Sequence, residues 1–476
     1  MRICLVATFP PSGRQLNEYA FHIAKELNTH PDVELIILAD ELTSYDFATD
    51  KNGKSLTIDP KAELPGFNVI RCWKFASLST PWRLLSTIRR LKPDVVWFNL
   101  VFSSFATPES PFAAFAGLSA PALVRAAGFY THITLHHIIE HVDFAAAGVR
   151  RERLYRMGTD VATRALLRAN SVSVLLPGYR KTLVNKYAAH NVLLGTHGTF
   201  ASTPTPPDFS KRGNPEQRIL AIGHCGTYKR LETLMEAFPM ILEQVQNAKL
   251  VVAGANHHTR AGYWESVRDA QPKDLPIEFL GYVAEDDIPE LFQSTSVLVL
   301  PYDSATGSSG PAHQACEYGV PIVCADIPDF RGMVTDEGMA VRFYKIGDAR
   351  DLAGQITRIL RSPELEHRMA EQNFAAGVQM TMTNVIRSYL RWFRLHQAKK
   401  ALAQDGARQG SRIPWSNVRR GRGHSPRWKL GPGISIEQDD GAVPHLVFEE
   451  ADELLTLDEV EPSFESNAKP AKVIRP

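Results

Sequence analysis

Two short glycine-rich loops carry residue types suited to holding a phosphate. The first is Gly223-His224-Cys225-Gly226-Thr227-Tyr228-Lys229-Arg230, which ends where a helix is expected to begin. The second is Thr306-Gly307-Ser308-Ser309-Gly310, followed directly by Pro311. Proline suits the first turn of a helix, where its missing N–H costs nothing. The opening N–H groups of a helix are unpaired and lie at the positive end of its dipole. Glycine lets an anion approach the backbone closely, and a lysine beside such donors, here Lys229, suits a pyrophosphate. A solvated surface position is the commoner fate of a lysine, and glycine-rich connections are ordinary in α/β proteins. Two such loops at one edge of one sheet shift the balance toward phosphate.

Histidine is concentrated in a third stretch, residues 131–141, which contains His136 and the run His137-Ile138-Ile139-Glu140-His141. That run formally matches the HxxEH zinc-protease pattern. The pattern needs a helix to bring both imidazoles onto one face. The preceding Ile133-Thr134-Leu135 is apolar and β-branched and reads as the end of a strand. The histidines then fall on the loop at its carboxyl end, where α/β sheets bind ligands. Five-residue motifs recur by chance, so no metal site is expected here.

Positioning these loops calls for parallel sheets. Residues 3–9 form a continuous apolar run, as expected of a strand buried on both faces, and 33–38, 67–72, 95–100, 172–176 and 192–198 read as further strands, with helices at 16–27, 82–91, 150–170 and 178–187 between them. Residues 102–129 are rich in Ala, Ser, Phe and Pro without a clean period. Packing helices are the favoured reading there over an apolar acceptor cleft or a membrane-facing helix, because large exposed apolar patches are uncommon. Residues 201–217, dense in Pro, Ser and Thr, form the best linker. The pattern then restarts, with strands at 219–223, 250–253, 277–280, 297–300 and 320–325 and a helix at 231–245. The expected fold class is α/β, with two Rossmann-like, doubly wound domains. The expected boundaries are 1–200 for the first domain, 201–217 for the linker and 218–380 for the second domain, with a further helix at 381–398 and a disordered tail at 399–476.

Composition bounds the remaining choices. With 53 Lys and Arg against 52 Asp and Glu, the chain has no overall nucleic-acid signature. Its 476 residues are too many for one core. The five cysteines are scattered, with no CxxC pair and no zinc spacing, which fits reduced thiols in a cytoplasmic protein. No apolar run is long enough for a transmembrane helix, and the start is too short for a signal peptide. Residues 408–429 are basic and 437–461 acidic. The basic block leaves weak peripheral contact with the inner face of the membrane as an open alternative.

The residues Gly223…Lys229, Phe279-Leu280-Gly281-Tyr282-Val283, Val299-Leu300-Pro301, Tyr318-Gly319-Val320-Pro321-Ile322-Val323 and Gly347-Asp348…Leu352 resemble glycosyltransferase family four. The resemblance covers most of residues 1–395 and is strongest over 218–362. It implies a GT-B fold of two facing Rossmann-like domains, with the helix at 381–398 crossing back onto the first, and a retaining hexosyltransferase in carbohydrate biosynthesis. The donor would be a nucleoside diphosphate sugar, and no metal or cofactor would be needed. By the same resemblance, the turn Ser12-Gly13 faces the donor phosphate, His136 lies near the donor sugar, and Lys229 binds the diphosphate. His224 stands where the family usually has arginine. Gly223, Tyr282, Gly307, Ser308, Ser309 and Gly310 complete the expected donor contacts. The family also places two glutamates eight residues apart; aligning Gly319 and Pro321 puts Thr306 and Gln314 at those positions. Gln314 retains an amide oxygen for a ribose hydroxyl and Thr306 a hydroxyl for the sugar. Glu317, three residues on, falls near the same helical face as Gln314. The departure keeps two other readings open. One is a catalytically silent scaffold or regulatory partner; the other is a different sugar-nucleotide enzyme on this fold, such as an epimerase or phosphorylase. The acceptor, whether glycan, lipid or small molecule, is not specified.

Overall fold

A computed structural model describes residues 1–410, 434–437 and 445–448, apart from 13, 15, 43–46, 50–54, 58–63, 107–109, 111, 142–151, 201–203, 210–216, 227–228, 258–259 and 305–306. The chain divides into two compact units, 1–400 and 401–476. The first unit is built on two sheets. Strands β1 (Arg2–Val6) and β2 (Glu34–Asp40) are followed by a small antiparallel hairpin, β3 (Phe47–Thr49) and β4 (Ser55–Thr57). Then come β5 (Val69–Trp73), β6 (Val95–Leu100), β7 (Thr131–Leu135), β8 (Ser171–Val174) and β9 (Val192–Leu194). Apart from the hairpin these form one sheet in the order β5-β2-β1-β6-β7-β8-β9, parallel throughout.

The second sheet uses β10 (Gln217–Cys225), β11 (Ala248–Asn256), β12 (Ile277–Gly281), β13 (Val297–Leu300), β14 (Ile322–Ala325) and β15 (Val341–Tyr344). Its order is β12-β11-β10-β13-β14-β15, again all parallel. In both sheets the order reverses beside the first strand, between β1 and β6 and between β10 and β13. Ligands of doubly wound sheets bind outside the carboxyl ends at such a reversal. The loops after β10 and β13 are the two glycine-rich loops singled out above.

The apolar runs become strands because both faces are covered. Cys4 and Val6 point into one core, and Ile3 and Leu5 into the other. The second of these cores is completed by the long helix Met382–Gly410, whose Val385, Ile386, Tyr389 and Phe393 pack against the first sheet. Each such side chain contributes about 1.5–3 kcal/mol by leaving water. Residues 112–118 and 120–126 are packing helices, with Ala113, Leu118, Ala120 and Val124 buried. A Cβ added at Gly117 would lie 2.3 Å from the Phe105 ring, so the helix sits flush on that side chain. Among the described residues no helix is long and apolar enough to cross a membrane.

Three elements differ from the expectation. The hairpin β3–β4 has strands of three residues each, too short to show a period. Strand β15, Val341-Arg342-Phe343-Tyr344, carries a charge in a four-residue run, which hides it. The final helix runs on to Gly410 rather than stopping at 398, since Lys, Ala, Gln and Arg there favour a helix. In the second unit, β16 (Ile434–Glu437) and β17 (His445–Phe448) pair antiparallel. The expectation for the rest of the tail lies outside the described residues.

Candidate functional site

At the second sheet, β10 runs through Gly223 and His224 to Cys225, in register with Gly254, Ala255 and Asn256 of β11. Gly223 has φ 138°. A Cβ added at Gly254 would lie 2.0 Å from the Gly223 carbonyl oxygen, so the two chains touch there as only glycine permits. The loop then folds back. Gly226 N–H donates to the Lys229 carbonyl at 3.0 Å, and Lys229 forms an isolated antiparallel bridge to Tyr302, just past β13. The Lys229 ammonium lies 5.1 Å over the Tyr302 ring, an attractive placement for a cation. Arg230 is taken up by Glu232 (3.1 Å) and Asp303 (3.5 Å), a brace between the same two loops. His224 is exposed at the strand end.

The second loop ends in the helix Gly310–Glu317 with Pro311 in its first turn. Ser309 is its N-cap, with extended backbone and a side chain that accepts from Ala312 N–H at 3.4 Å; such a cap contributes about 1 kcal/mol. The Gly310 α-carbon faces open space. Ser308 Oγ lies 3.6 Å from Met333 Sδ. Gly307 has φ 105°, and a Cβ added there would lie 3.0 Å from the His136 carbonyl oxygen. The loop after β7 and the loop after β13 therefore meet backbone to backbone at a glycine. Gln314 is half-buried. Glu317 is 4% exposed, on the side where this helix meets the helix Pro363–Gln379. There a Cβ added at Gly377 would lie 3.1 Å from the Glu317 nitrogen. Tyr282, 62% exposed, follows β12. Gly13 and Thr306 lie outside the described residues.

The first sheet presents a different surface. His136 Nε2–H donates to Asn99 Oδ1 at 2.7 Å, and the ring stands edge-on to Tyr19 at 4.6 Å. Burial pushes its pKa down to about 3, with His137 adding to the effect. A neutral ring whose Nε2 carries the proton keeps Nδ1 as an acceptor, suited to a hydroxyl donor. Ser12 hydroxyl donates to Asp40 Oδ2 at 2.7 Å, and Phe9 N–H to Asp40 Oδ1 at 3.2 Å. Burial raises the Asp40 pKa, against the pull of Ser12, Phe9 and Arg71. Arg71 donates to the Asp40 and Pro10 carbonyls at 2.9 and 2.7 Å. This buried knot fixes the loop that ends β1.

The zinc-protease match resolves structurally. His137 follows strand β7 on a loop, and Ile139–His141 make a single 3-10 turn rather than an α-helix. The Glu140 carboxylate is committed to Tyr187 and to Lys186. Among the described residues no group of three or more His, Cys, Asp or Glu side chains is placed to hold a metal ion. Sequence reasoning missed Tyr302 under Lys229, Asn99 behind His136 and Asp40 behind Ser12. The last two are polar residues at the carboxyl ends of apolar strands, which is the signal that singles them out.

Residues 206–375 match the family model Glycosyl transferases group 1. The chain is 26% identical over 144 residues to O-antigen chain mannosyltransferase B of Escherichia coli, covering 30% of this chain and 36% of that protein. It is 31% identical over 130 residues to an uncharacterized glycosyltransferase, MJ1607, of Methanocaldococcus jannaschii, covering 27% and 32%. The chain thus matches about a third of the length of these curated relatives. Among solved structures, two share the fold over nearly their whole length. Anabaena Alr3699/HepE in complex with UDP and glucose is 14% identical, with TM-score 0.59, and the match covers 83% of this chain and 99% of that one. Sucrose-phosphate synthase from Thermosynechococcus elongatus is 16% identical, with TM-score 0.61, and the match covers 84% and 100%.

Proposed function

Starting from a chain whose residues 206–375 belong to the glycosyl transferases group 1 family, on a GT-B arrangement of two parallel sheets, we propose a glycosyltransferase that uses a nucleoside diphosphate sugar. It transfers the sugar with retention of anomeric configuration, without a metal ion, to an acceptor on the side of the first sheet. One observation carries this reading. The Lys229 bridge to Tyr302 joins the loop after β10 to the loop that ends in the Ser309-capped helix. A cation and a helix N-terminus thereby belong to neighbouring loops at the reversal of strand order, a chemistry matched to a diphosphate.

As the sugar–phosphate bond breaks, negative charge grows on the departing diphosphate. Lys229 and the donors of residues 308–310 stabilise that charge without reorganising, and His224 at the exposed strand end adds to them when protonated. Gln314 accepts from a ribose hydroxyl and Thr306 contacts the sugar. Glu317 is too deeply packed to be the first choice for the ribose. Tyr282, exposed beyond β12, offers a ring face to the base. His136 accepts from a sugar hydroxyl through Nδ1. The contact between Gly307 and the His136 carbonyl sets the two sides at close quarters, which limits water around the donor.

A second reading, a catalytically silent scaffold, is favoured by Thr306 and Gln314 standing where family members carry glutamates. The two separate in one experiment. Purified protein is incubated with UDP-, GDP- and ADP-sugars and simple sugar acceptors, and the anomeric proton couplings of the product are read by NMR. Product of unchanged configuration at a rate indifferent to EDTA is expected. Binding without turnover supports the scaffold, and inverted product contradicts the mechanism.

A further inference from the structure

Behind the donor-side loop lies a buried ionic pair that the transfer chemistry does not use. His313, 1% exposed, occupies the second turn of the helix Gly310–Glu317. Its Nδ1–H donates to the Ser309 carbonyl at 2.7 Å, bracing the N-cap from within the helix. Its Nε2 lies 2.9 Å from Glu337 Oε2, with the two side chains 1% and 4% exposed. Neither atom has another partner among the described residues. One nitrogen facing a carbonyl and the other a carboxylate require protons on both, so the ring is an imidazolium. Glu337 closes the helix Pro328–Glu337, so the pair ties two helices of the second domain together.

The same ring reaches the other domain. His197 packs against His313 with ring centroids 4.7 Å apart. His197 sits in the segment 195–199 that leaves the first sheet, and that segment is pinned on every side. Tyr19 hydroxyl donates to the His197 carbonyl at 2.7 Å, and Thr199 N–H to the Met380 carbonyl at 2.8 Å. A Cβ added at Gly198 would lie 2.9 Å from Val385. Burial, then the neighbouring His313 and His136, hold His197 neutral, so a charged and an uncharged imidazole face each other. The other titratable groups around the pair are Cys316 on the same helix, Asp336 beside Glu337, and Tyr19 on the helix Asn17–Leu27. Each is raised chiefly by burial, Cys316 and Asp336 further by the Glu337 carboxylate and Tyr19 by Tyr389 and then Glu337.

We propose that the His313–Glu337 pair is a positioning device that holds Ser309, and with it residues 307–310, in register with the segment 195–199, so that the anion-binding end of the helix is complete only while His313 keeps its proton. This rests on the donor-site reading above. Burial alone would lower the pKa of His313, but Glu337 and the Ser309 carbonyl more than offset it, and the net direction is upward. A histidine raised on folding contributes fully below its ordinary value of about 6.5 and loses that contribution as pH rises through the folded value.

The test uses the full chain, with amide hydrogen exchange read by mass spectrometry from pH 6 to 9 and corrected for intrinsic rates, alongside UDP and GDP titrations at each pH. Protection of 195–199 and 307–312 is expected to fall together as pH rises in the wild type. In Glu337→Gln the fall is expected at least one pH unit lower, with UDP affinity about ten-fold weaker at pH 7.5. Lys229→Ala is expected to weaken UDP at every pH without moving the exchange midpoint. Coupled, Glu337-dependent exchange with binding of neither UDP nor GDP supports the device and sinks the donor reading. UDP binding with exchange at the two segments indifferent to pH overturns the device and leaves the donor reading standing. Should Glu337→Gln fail to fold, the wild-type profile decides alone, since a flat one overturns the proposal.

Discussion

The carboxyl edges of the two sheets face each other and are built on opposite electrostatic plans. Around the first sheet the imidazoles are buried and uncharged: burial takes His136 at the carboxyl edge and His132 within β7 down to about 3 and His22 on the helix Asn17–Leu27 to about 4, and His197 falls well below its ordinary range. On the second sheet positive charge is kept, in Lys229 over Tyr302, in the capped helix end at Ser309 and in His313 against Glu337. The same topology thus supports two tasks. One edge offers shape and neutral imidazoles; the other offers positive potential, which on the function proposed above would meet the charge of a leaving group.

The largest effect that could break this contrast is acid instability of the first side. Below about pH 6.5 the unfolded chain binds protons at His22, His132, His136 and His197, and the folded chain does not. Stability is therefore present above that pH and lost as pH falls toward the depressed values. The loss approaches ~1.4 kcal/mol per imidazole per pH unit at the limit. Urea midpoints at pH 7, 6 and 5 are expected to fall steeply, and a flat series would show that these rings are not held neutral.

A smaller effect sharpens the junction between the two sides. Gly307→Ala places a Cβ at φ 105° and 3.0 Å from the His136 carbonyl oxygen. A cost of about 1–3 kcal/mol is expected, read as a lowered melting temperature. An unchanged melt would mean that the two loops do not meet as described.

The smallest effect concerns the ribose. Gln314→Ala is expected to weaken nucleotide binding by about 0.5–1.5 kcal/mol, the range of a neutral hydrogen bond. Gln314→Glu is expected to be tolerated or to tighten binding through a charged acceptor. Paired calorimetric titrations of Gln314→Ala and Glu317→Ala apportion the contact, and a larger loss from Glu317→Ala would reassign it.

What the sequence displayed and what it hid follow from range of interaction. Buried parallel strands announce themselves as apolar runs, so β6 and β13 fall at their expected limits. The positions of the two glycine-rich loops after β10 and β13 were legible because glycine, serine and proline act locally through backbone geometry and helix ends. Contacts made across the fold left no local mark. Nothing near Lys229 points to Tyr302, and nothing near His313 to a partner 24 residues on at Glu337 or to His197 in the other domain; Asn99 stands out only as a polar residue near the end of an apolar strand, with nothing to assign it to His136. The HxxEH run is the reverse case: its spacing is local, but what it can do depends on the backbone, which at 139–141 is a single 3-10 turn rather than the α-helix the motif needs.

The central claim, that the second sheet's edge binds a nucleoside diphosphate through Lys229, is tested most directly by calorimetric titration of wild type and Lys229→Ala with UDP and GDP at pH 7. The account predicts one-site binding of at least one of them. That binding should weaken by about 1.5–3 kcal/mol, roughly ten- to hundred-fold, in the variant, whose melting temperature stays unchanged. Equal affinity in the two proteins, or no binding of either nucleotide to the wild type, would contradict it.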